Sequence, residues 1–307
     1  MINYVQNKIT KPSSRCFIEK PWTEKLGTLL FYFKKVWNKI SFGMPLPVRL
    51  PFGGWYLAWN DINDDCIFAG NYEKSEKLFV ESFLKPGMTV LDIGAHHGFY
   101  TLLASKKVGH EGRVIAFEPS PREKRKLLWH IKLNHYKNVK VEDVALGNKE
   151  GNVEFFVVQG RDTGCNSLLP PKVTEPTRVV EVRVIKLDNY LKDHRIDHVD
   201  FIKMDVEGAE LSVLKGATGL LQHKPRPVIL CELADTRTQS WGYKAKEVVV
   251  FLSNLGYYWF LTCKEGTLEP IPLDIGVFDR NFIAVPEEQI DQIKMLFNVN
   301  YIKRNSL

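Results

Sequence analysis

The stretch from Val90 to Ala104 reads VLDIGAHHGFYTLLA, and it restricts the possible folds of this chain more than any other. An apolar run carries Asp92, glycines follow at positions 94 and 98, and a helical pattern begins directly after them. A glycine turn between a buried strand and a helix is typical of a sheet that is covered by helices on both faces. Ligands of such sheets bind beyond the carboxyl ends of the strands. We therefore expect a ligand at this turn.

Short apolar runs and helical stretches alternate from about residue 87 onwards. The runs predict strands at 89–93, 113–118, 139–146, 199–205, 227–232 and 257–263. Helices are predicted near 98–108, 121–134, 208–222 and 243–255. This alternation favours an α/β fold with a doubly wound, mostly parallel sheet and right-handed crossovers. The segment FIAVP (282–286) predicts a last edge strand, before a C-terminal helix at 287–297.

Two regions depart from this alternation. Residues 150–187 contain two extended, alternating segments around a Gly/Pro/Asn-rich loop, which predicts either a hairpin-type insertion or added strands beside the sheet. Residues 1–80 predict a separate N-terminal α+β extension or cap, with strands in 53–59 and a helix in 72–84. The main domain is then expected over 81–307.

The spacing of the glycine turn indicates which ligand it binds. A dinucleotide-binding turn would read G-x-G-x-x-G, but the middle glycine is replaced by His96, and Asp92 precedes the turn. A carboxylate here suits an amino group better than a diphosphate, and S-adenosylmethionine has an ammonium group, a sulfonium and a ribose diol. Glu118 ends the second strand, 20 residues after Gly98, where a carboxylate can accept both ribose hydroxyls. Asp143, in the third predicted strand, is expected near the adenine.

Five segments carry a resemblance to a known family. They are DIGAHHGFYTLLA, AFEPSP (116–121), VALGN (144–148), KLDNYL (186–191) and, most specifically, IKMDVEGAELSVLKGA (202–217). Over about 72–262 the chain resembles the FkbM-family methyltransferases, which are class I, S-adenosylmethionine-dependent enzymes. The resemblance implies a seven-stranded, Rossmann-like sheet with an antiparallel last strand, and O-methylation as the reaction. The chain departs from the family turn G-A-N-x-G, because His96 stands in place of the Asn.

The resemblance and the turn together define an expected cofactor site. Asp92, Gly94, Gly98 and Glu118 are implied to face the cofactor. The full set expected to bind S-adenosyl-L-methionine is Asp92, Gly94, Ala95, His96, Gly98, Tyr100, Thr101, Glu118, Pro119, Asp143, Ala145 and Asp205.

The catalytic residues are expected at the ends of the fourth and fifth strands. Asp205 can contact the methionine end of the cofactor or the incoming hydroxyl, Glu207 can orient the substrate or act as a base, and Glu232 is a further candidate. No metal is expected, although these three carboxylates could alternatively bind Mg²⁺ or Ca²⁺. Glu210 is interpreted as a helix-capping acid.

Several neighbouring residues are left with two interpretations. His97 is either a base or, as we favour, a hydrogen-bonded structural histidine, and His96 is expected to replace the missing Asn. Asn166 and Ser167 either line the acceptor pocket or belong to a plain surface loop.

Composition restricts partners and location. A net charge of +6 without a Lys/Arg run or a recognition motif argues against nucleic-acid binding, and it is compatible with a small-molecule or glycan acceptor. Five cysteines without a C-x-x-C pair indicate a reducing compartment, and Cys231 is expected in the core. The N-terminus lacks an apolar signal region, and Leu26–Trp37 is too short to span a bilayer. We interpret that stretch as a packing helix rather than one lying on a membrane, and we expect a cytoplasmic protein.

The leading hypothesis is therefore an O-methyltransferase acting on a small molecule or a sugar hydroxyl. The alternatives are a catalytically inactive cofactor-binding or scaffold protein on the same fold, and a nicotinamide dehydrogenase, against which the glycine spacing argues. The sequence leaves open a homodimer, a peripheral contact with a membrane and the identity of the acceptor.

Overall fold

The protein is described here by a computed structural model. It describes residues 32–34, 36–37, 39–41, 43–263, 266–271, 276–297 and 299. These divide into two units, one formed by the described residues of 1–48 and 57–72, the other by those of 49–56 and 73–307. The second unit contains the main sheet.

The strands in chain order are β1 (Leu46–Arg49), β2 (Trp55–Ala58), β3 (Thr89–Ile93), β4 (Arg113–Phe117), β5 (Val139–Glu142), β6 (Val144–Leu146), β7 (Gly151–Val158), β8 (Thr177–Ile185), β9 (Phe201–Met204), β10 (Val228–Ala234), β11 (Tyr257–Thr262), β12 (Leu268–Pro270) and β13 (Asp279–Pro286). The α-helices are α1 (Ile62–Phe68), α2 (Lys74–Phe83), α3 (Phe99–Val108), α4 (Pro121–Leu133), α5 (Leu187–Asp193), α6 (Glu210–Lys215), α7 (Thr218–Gln222), α8 (Asp235–Thr238), α9 (Ala245–Asn254) and α10 (Ile290–Phe297).

The main sheet has the strand order β12-β11-β13-β10-β9-β3-β4-β5. Strands β5, β4, β3, β9 and β10 are parallel neighbours, and β13 runs antiparallel to both β10 and β11. The strands at the centre are buried on both faces, as their continuous apolar sequences require. This is the mostly parallel, doubly wound sheet that the sequence predicts, with its last strand antiparallel.

The register brings the carboxyl ends of the central strands level with one another. Ile93 at the end of β3 lies opposite Phe117 of β4 and Met204 of β9, and Met204 lies opposite Cys231 of β10. Side chains that follow these positions therefore meet at one edge of the sheet, which we call the carboxyl edge. Cys231 itself is fully buried, as predicted.

The inserted segment forms a second, three-stranded sheet in the order β6-β8-β7. Strands β7 and β8 form a long antiparallel hairpin, and β6 pairs in parallel with β8. The predicted hairpin insertion is thus confirmed. The loop between β7 and β8 is residues 159–176.

Four sequence predictions about the elements are wrong. The main sheet has eight strands rather than seven, because Leu268–Pro270 adds a three-residue edge strand beside β11. The predicted edge strand at 282–286 lies inside the sheet, paired on both sides, because β11 and β12 extend the sheet beyond it.

The other two errors concern segments that are continuous in sequence. The predicted strand 139–146 breaks at Asp143 into β5 and β6, which pair in different sheets. The predicted helix 208–222 is two short helices, α6 and α7. Gly216 ends α6, and a Cβ at this residue would lie 2.1 Å from the carbonyl oxygen of Gly147. Close approach of the two backbones therefore requires glycine here.

The N-terminal predictions can be compared with the structure only in part. The strand expected in 53–59 and the helix expected in 72–84 are present as β2 and α2. Of Leu26–Trp37, residues 32–34 and 36–37 are helical, and the remainder lies outside the described residues. Among the helices that are described, none is long and apolar enough to cross a bilayer.

Candidate active site

The turn after β3 is held by close backbone packing. Gly94 has φ 78°, and a Cβ there would lie 1.8 Å from the carbonyl oxygen of Asp205. Gly98 has φ 89° and begins α3, and a Cβ on it would lie 2.2 Å from Cδ1 of Leu127. The backbone contact at Gly94 therefore excludes any larger residue, whereas a larger residue at Gly98 would require the Leu127 side chain to move and would have a strained φ. The turn presses against the end of β9 and leaves the N-terminus of α3 facing the carboxyl edge.

Asp92 and Glu118 are both buried at this turn. Asp92 accepts a hydrogen bond from Oγ1 of Thr101 at 2.5 Å, and burial raises its pKa. Glu118 accepts hydrogen bonds from the backbone N–H groups of His96 (2.7 Å) and Ser120 (2.8 Å). Burial and the nearby Glu123 raise the pKa of Glu118 to about 8. Each of its oxygens keeps a lone pair with which it can accept a further hydrogen bond.

The two histidines of the turn stack on each other, with ring centroids 3.8 Å apart. His96 adopts φ 50°, and its Nε2 lies 2.7 Å from Oγ1 of Thr163 in the 159–176 loop. His97 is buried, with its Nε2 2.9 Å from Nζ of Lys126 and 3.9 Å from Oε1 of Glu123. These contacts favour the structural interpretation of His97, and they give His96 a contact with the loop.

The three predicted catalytic carboxylates come together at the ends of β9 and β10. One oxygen from each of Asp205, Glu207 and Glu232 lies within 4.8 Å of the others. The guanidinium of Arg237 forms an ion pair with Glu207, and its Nη2 lies 3.9 Å from Oε1 of Glu232. Burial and the adjacent Asp205 raise the pKa of Glu232 well above its ordinary value. Of the two carboxyl groups, Glu232 is therefore the one that binds a proton more readily.

A buried lysine neutralises this cluster from inside the sheet. Nζ of Lys203 lies 3.0 Å from Oδ2 of Asp205 and 5.4 Å from the ring centroid of Tyr100. The hydroxyl of Tyr100 donates a 2.6 Å hydrogen bond to Glu73. Burial alone would lower the pKa of Lys203, but the surrounding carboxylates raise it. Burial alone would raise the pKa of Asp205, but the charge of Lys203 helps to lower it to about 2. Oδ1 of Asp205 is buried without a hydrogen-bond partner.

The loop between β9 and α6 has an unusual backbone. Glu207 adopts φ 55° and Gly208 φ 101°, so two successive residues lie in the left-handed region. Such strain in a residue with a Cβ persists only where the surroundings hold it in place. A Cβ on Gly208 would lie 2.7 Å from the Trp241 ring, and the carbonyl of Gly208 accepts a 2.6 Å hydrogen bond from Tyr243.

Glu210 is buried rather than solvated at the start of α6. It accepts a hydrogen bond from the N–H of Gly208 (3.1 Å), and its Oε2 lies 3.2 Å from the hydroxyl oxygen of Tyr243, whose proton is donated to the carbonyl of Gly208. Burial raises its pKa to about 7. Its contacts hold the loop that presents Glu207, which agrees with a structural role near the helix start.

The 159–176 loop contributes three residues near the carboxylates. Oγ of Ser167 lies 3.4 Å from the carbonyl oxygen of Glu207. Oδ1 of Asn166 accepts from the N–H of Val158 at 2.8 Å, while its Nδ2 is buried without a partner. Burial raises the pKa of the Cys165 thiol to about 12. The nearby charge of Arg237 lowers this pKa, and that of Glu232 raises it.

The remaining predicted cofactor residues lie at different distances from this cluster. Ala95 is buried and packs with Ala116 and Leu127, and Pro119 is half-buried after Glu118. Ala145 is buried in β6, in the core of the second sheet. Asp143 is not brought into the cluster: its side chain is 66 % exposed and pairs with Lys124 at 2.9 Å.

The sequence analysis did not predict three residues of the site, namely Lys203, Glu73 and Arg237. Lys203 interrupts an otherwise apolar strand, and a charged residue inside such a run is a signal that could have been used. Glu73 and Arg237 lie in segments far from the glycine turn in sequence, and they carry no comparable signal.

The residues at the carboxyl edge fit S-adenosyl-L-methionine. Gly94 lets the turn pack directly against Asp205, and Glu118 keeps lone pairs that can accept hydrogen bonds from hydroxyl groups. Ionised Asp205 has an orphaned, buried oxygen that suits a cation or a donor. The turn does not have the G-x-G-x-x-G spacing that binds a diphosphate.

The strand order and the glycine turn define a Rossmann-like, class I methyltransferase fold. The chain belongs to the methyltransferase FkbM domain family, whose profile matches residues 92–258. S-adenosyl-L-methionine is its cofactor, as the sequence predicts.

Curated relatives are similar over part of their length. Methyltransferase 1 of Beauveria bassiana is 26% identical over 144 residues, which are 41% of this chain and 57% of the relative. The 2-O-methyltransferase NoeI of Sinorhizobium fredii is 22% identical over 155 residues, covering 47% of this chain and 63% of the relative. The chain thus spans less than two thirds of either relative.

Solved structures of methyltransferases are also similar at low identity. An FkbM methyltransferase from Methylobacillus flagellatus is 16% identical with a TM-score of 0.40, covering 73% of this chain and 55% of that one. An O-methyltransferase from Bacillus cereus, in complex with SAH, is 13% identical with a TM-score of 0.42, covering 89% and 94%.

Proposed function

We propose that this protein transfers the methyl group of S-adenosyl-L-methionine to a hydroxyl oxygen of a small molecule or a sugar. The observation that carries the proposal is the meeting of Asp205, Glu207 and Glu232 within 4.8 Å of one another at the carboxyl edge, where the glycine turn packs against Asp205. The name of the Sinorhizobium fredii relative, a 2-O-methyltransferase, supports transfer to oxygen. The cofactor supplies an electrophilic methyl group on a sulfonium.

Asp205 is proposed to hold the acceptor hydroxyl in place. Its free oxygen, Oδ1, accepts the hydrogen bond of the hydroxyl, which aligns an oxygen lone pair with the methyl group. A carboxylate with a pKa of about 2 is a weak base for a neutral alcohol. However, the oxygen becomes strongly acidic once it gains the methyl group. Asp205 would therefore take up the O–H proton late in the transfer, and S-adenosyl-L-methionine would supply the methyl group and leave as the neutral thioether.

The side chains around Asp205 are proposed to set its charge and its pKa. They are Glu232, Glu207 and Lys203. The raised pKa of Glu232 favours its neutral form, which lowers the electrostatic repulsion on the charge of Asp205. Arg237 pairs with Glu207, and Lys203 pairs with Asp205. With two cations already beside the carboxylates, the proposed reaction needs no metal ion, and EDTA should leave the rate unchanged.

The decisive experiment measures cofactor binding and methyl transfer separately. Calorimetry with S-adenosyl-L-methionine, together with transfer of a labelled methyl group to a panel of sugars and phenols, should be done on wild type and Asp205→Asn. We expect the variant to retain the fold and to bind the cofactor within about tenfold of wild type. Loss of the charged acceptor should lower transfer by roughly 10² to 10⁴.

A matched control is Asp200→Asn. Asp200 lies at the other end of β9 and accepts from the N–H of Thr89 and from His198. The Asp200→Asn variant should transfer methyl groups at a rate within about twofold of wild type, after correction for the fraction of protein that is folded. Cofactor binding without transfer by the wild type to any acceptor would favour the catalytically inactive scaffold. Equal transfer by wild type and Asp205→Asn would remove Asp205 from the proposed reaction.

A further inference from the structure

A second concave site lies on the opposite side of the main sheet from the glycine turn. It is an open groove of about 770 Å³, formed by the end of α3, the loops that precede β4 and β5, and residues of the 49–56 segment. All its lining residues belong to the second unit of the chain. Because these loops enter the strands at their amino ends, we call this side the amino edge. The volume is within the range of small-molecule sites.

The groove has a strongly one-sided charge. Arg49, Lys106 and Lys137 line it together with His110 and His135, and no Asp or Glu is among the lining residues. Among the carboxylates of the described residues, none forms an ion pair with Arg49, Lys106 or Lys137. Unpaired cations that share a concave surface raise the local concentration of anions.

Two of the cations converge on one point. A Cβ on Gly53 would lie 2.6 Å from Nζ of Lys106 and 3.7 Å from Nη2 of Arg49. The guanidinium of Arg49 also lies over the ring of Trp55, 5.1 Å from its centroid. A cation that stacks on an aromatic ring is held in place while its outer N–H donors stay available.

The walls of the groove are fixed by two asparagines. Asn134 accepts from the backbone N–H of Trp55 and donates to its carbonyl, both at 2.7 Å. Asn138 donates to the carbonyls of Ser105 (3.0 Å) and Gly109 (2.7 Å). These bonds join the loops before β4 and β5 to the segment that carries Arg49. The cations therefore project from a preorganised frame rather than from independent loops.

We propose that this groove binds a phosphate-bearing ligand at a site distinct from that of methyl transfer. Three cations with no acid among the lining residues suit a multiply charged group better than a single carboxylate, and the nearby Glu111 lies 3.9 Å from His110 rather than against these cations. Arg and Lys donors match phosphate oxygens. The half-exposed ring of Trp55, at 43 % exposure, offers a surface for a planar group attached to the phosphate. The ligand is either a phosphate group alone or a nucleotide, and the experiment separates these two sources.

Isothermal titration of the full chain with inorganic pyrophosphate tests the proposal. We expect saturable 1:1 binding at low ionic strength, and a loss of affinity of tenfold or more in Lys106→Gln/Lys137→Gln. Arg49→Gln, as an independent variant, should lose at least about fivefold. Thermal denaturation followed by circular dichroism checks that each variant is folded.

The matched control is Lys149→Gln/Lys192→Gln, which removes the same two charges from exposed positions outside the groove. It should change the affinity by less than twofold. An equal loss in the control would mean a general effect of net charge and would overturn the proposal. The absence of saturable binding to wild type would overturn it as well.

A second titration with uridine 5′-diphosphate identifies the source of the phosphate. If uridine 5′-diphosphate binds more tightly than pyrophosphate, and if Trp55→Leu removes this difference in affinity, the groove is assigned to nucleotides. The Leu variant keeps the two backbone hydrogen bonds to Asn134, so the frame should be unchanged. Equal affinity for both probes assigns it to the phosphate group alone. Either result supports the proposal when the lysine variants behave as expected.

Discussion

The two edges of the main sheet hold their ionisable side chains in different ways. At the carboxyl edge Asp92 and Glu118 are buried and Asp205 is half-buried, and each has a hydrogen-bond or ion-pair partner. At the amino edge the Lys106 and Lys137 side chains are exposed around an open groove.

Enclosed and exposed charges respond differently to substitution. A buried carboxylate keeps its charge only if a cation or N–H donors lie within contact distance, so its position and its pKa are set by a few neighbours. Exposed cations in a groove act through a summed, salt-sensitive field. Stability and ligand binding at the carboxyl edge should therefore depend on small changes in geometry. Ligand binding at the amino edge should depend on the number of charges.

The largest contrast is expected between two glycines with similar backbone angles, one near each edge. Gly94 has φ 78° and no room for a Cβ, while Gly87, shortly before β3, has φ 87° and no atom within 4 Å of the place that a Cβ would take. Gly94→Ala combines left-handed strain with overpacking and should lower the free energy of unfolding by about 2–5 kcal/mol. Gly87→Ala introduces the strain alone and should cost about 1–2 kcal/mol.

Chemical denaturation of both variants measures this difference, and calorimetry with S-adenosyl-L-methionine shows its consequence for binding. Gly94→Ala should lose cofactor affinity even where it is folded, while Gly87→Ala should keep it. Equal destabilisation of the two variants would show that the carboxyl edge is no more tightly packed than the loop before β3.

A smaller effect is expected from the ionisation of Glu118. Its pKa of about 8 lies above the value of 4.5 for an unperturbed Glu, so the folded state binds more protons than the unfolded state between these pH values. The contribution of Glu118 to stability is therefore largest below pH 4.5 and falls as the pH rises towards 8. Glu210, with a pKa of about 7, adds a slope of the same sign.

Cofactor affinity should show the opposite dependence on pH. If the Glu118 carboxylate accepts hydroxyl groups of the ligand, binding favours the ionised form, and affinity should rise by about tenfold to a hundredfold between about pH 6 and pH 8. Calorimetry across this range should lose the rise in Glu118→Gln and keep it in Glu210→Gln. A pH-independent affinity in the wild type would place Glu118 outside the binding site.

The glycine turn and its two carboxylates could be predicted because their signal is local. Asp92, Gly94 and Gly98 lie within seven residues, and each residue type has a direct geometric reason there. Asp205 and Glu232 were predictable because each lies at the end of an apolar run that forms a central strand. Register alone then brings them together.

Other features depend on contacts between distant segments. The place of β13 inside the sheet depends on β11 and β12, which no short pattern reveals. The partners of Lys203 come from several elements, and the hydrogen bond between Glu73 and Tyr100 joins residues 27 positions apart. A sequence pattern predicts which residues face an edge, but the pairing of charges there is set by tertiary packing.

Asp143 provides the smallest expected effect and tests where the carboxyl edge ends. The sequence predicts it near the adenine, but the chain breaks there between β5 and β6, and the side chain pairs with Lys124. The exposed ion pair lowers the pKa of Asp143 and should contribute less than about 1 kcal/mol. We therefore expect Asp143→Asn to change cofactor affinity by less than twofold.

Lys124→Gln is the matched control, because it breaks the same ion pair and leaves the carboxylate in place. If the pair only stabilises the surface, both variants should show the same small shift in the midpoint of thermal unfolding and unchanged calorimetric affinity. A tenfold loss of affinity in Asp143→Asn alone would restore Asp143 to the cofactor site. The cofactor site at the carboxyl edge would then extend to the end of β5, and an exposed carboxylate would contribute to cofactor binding there.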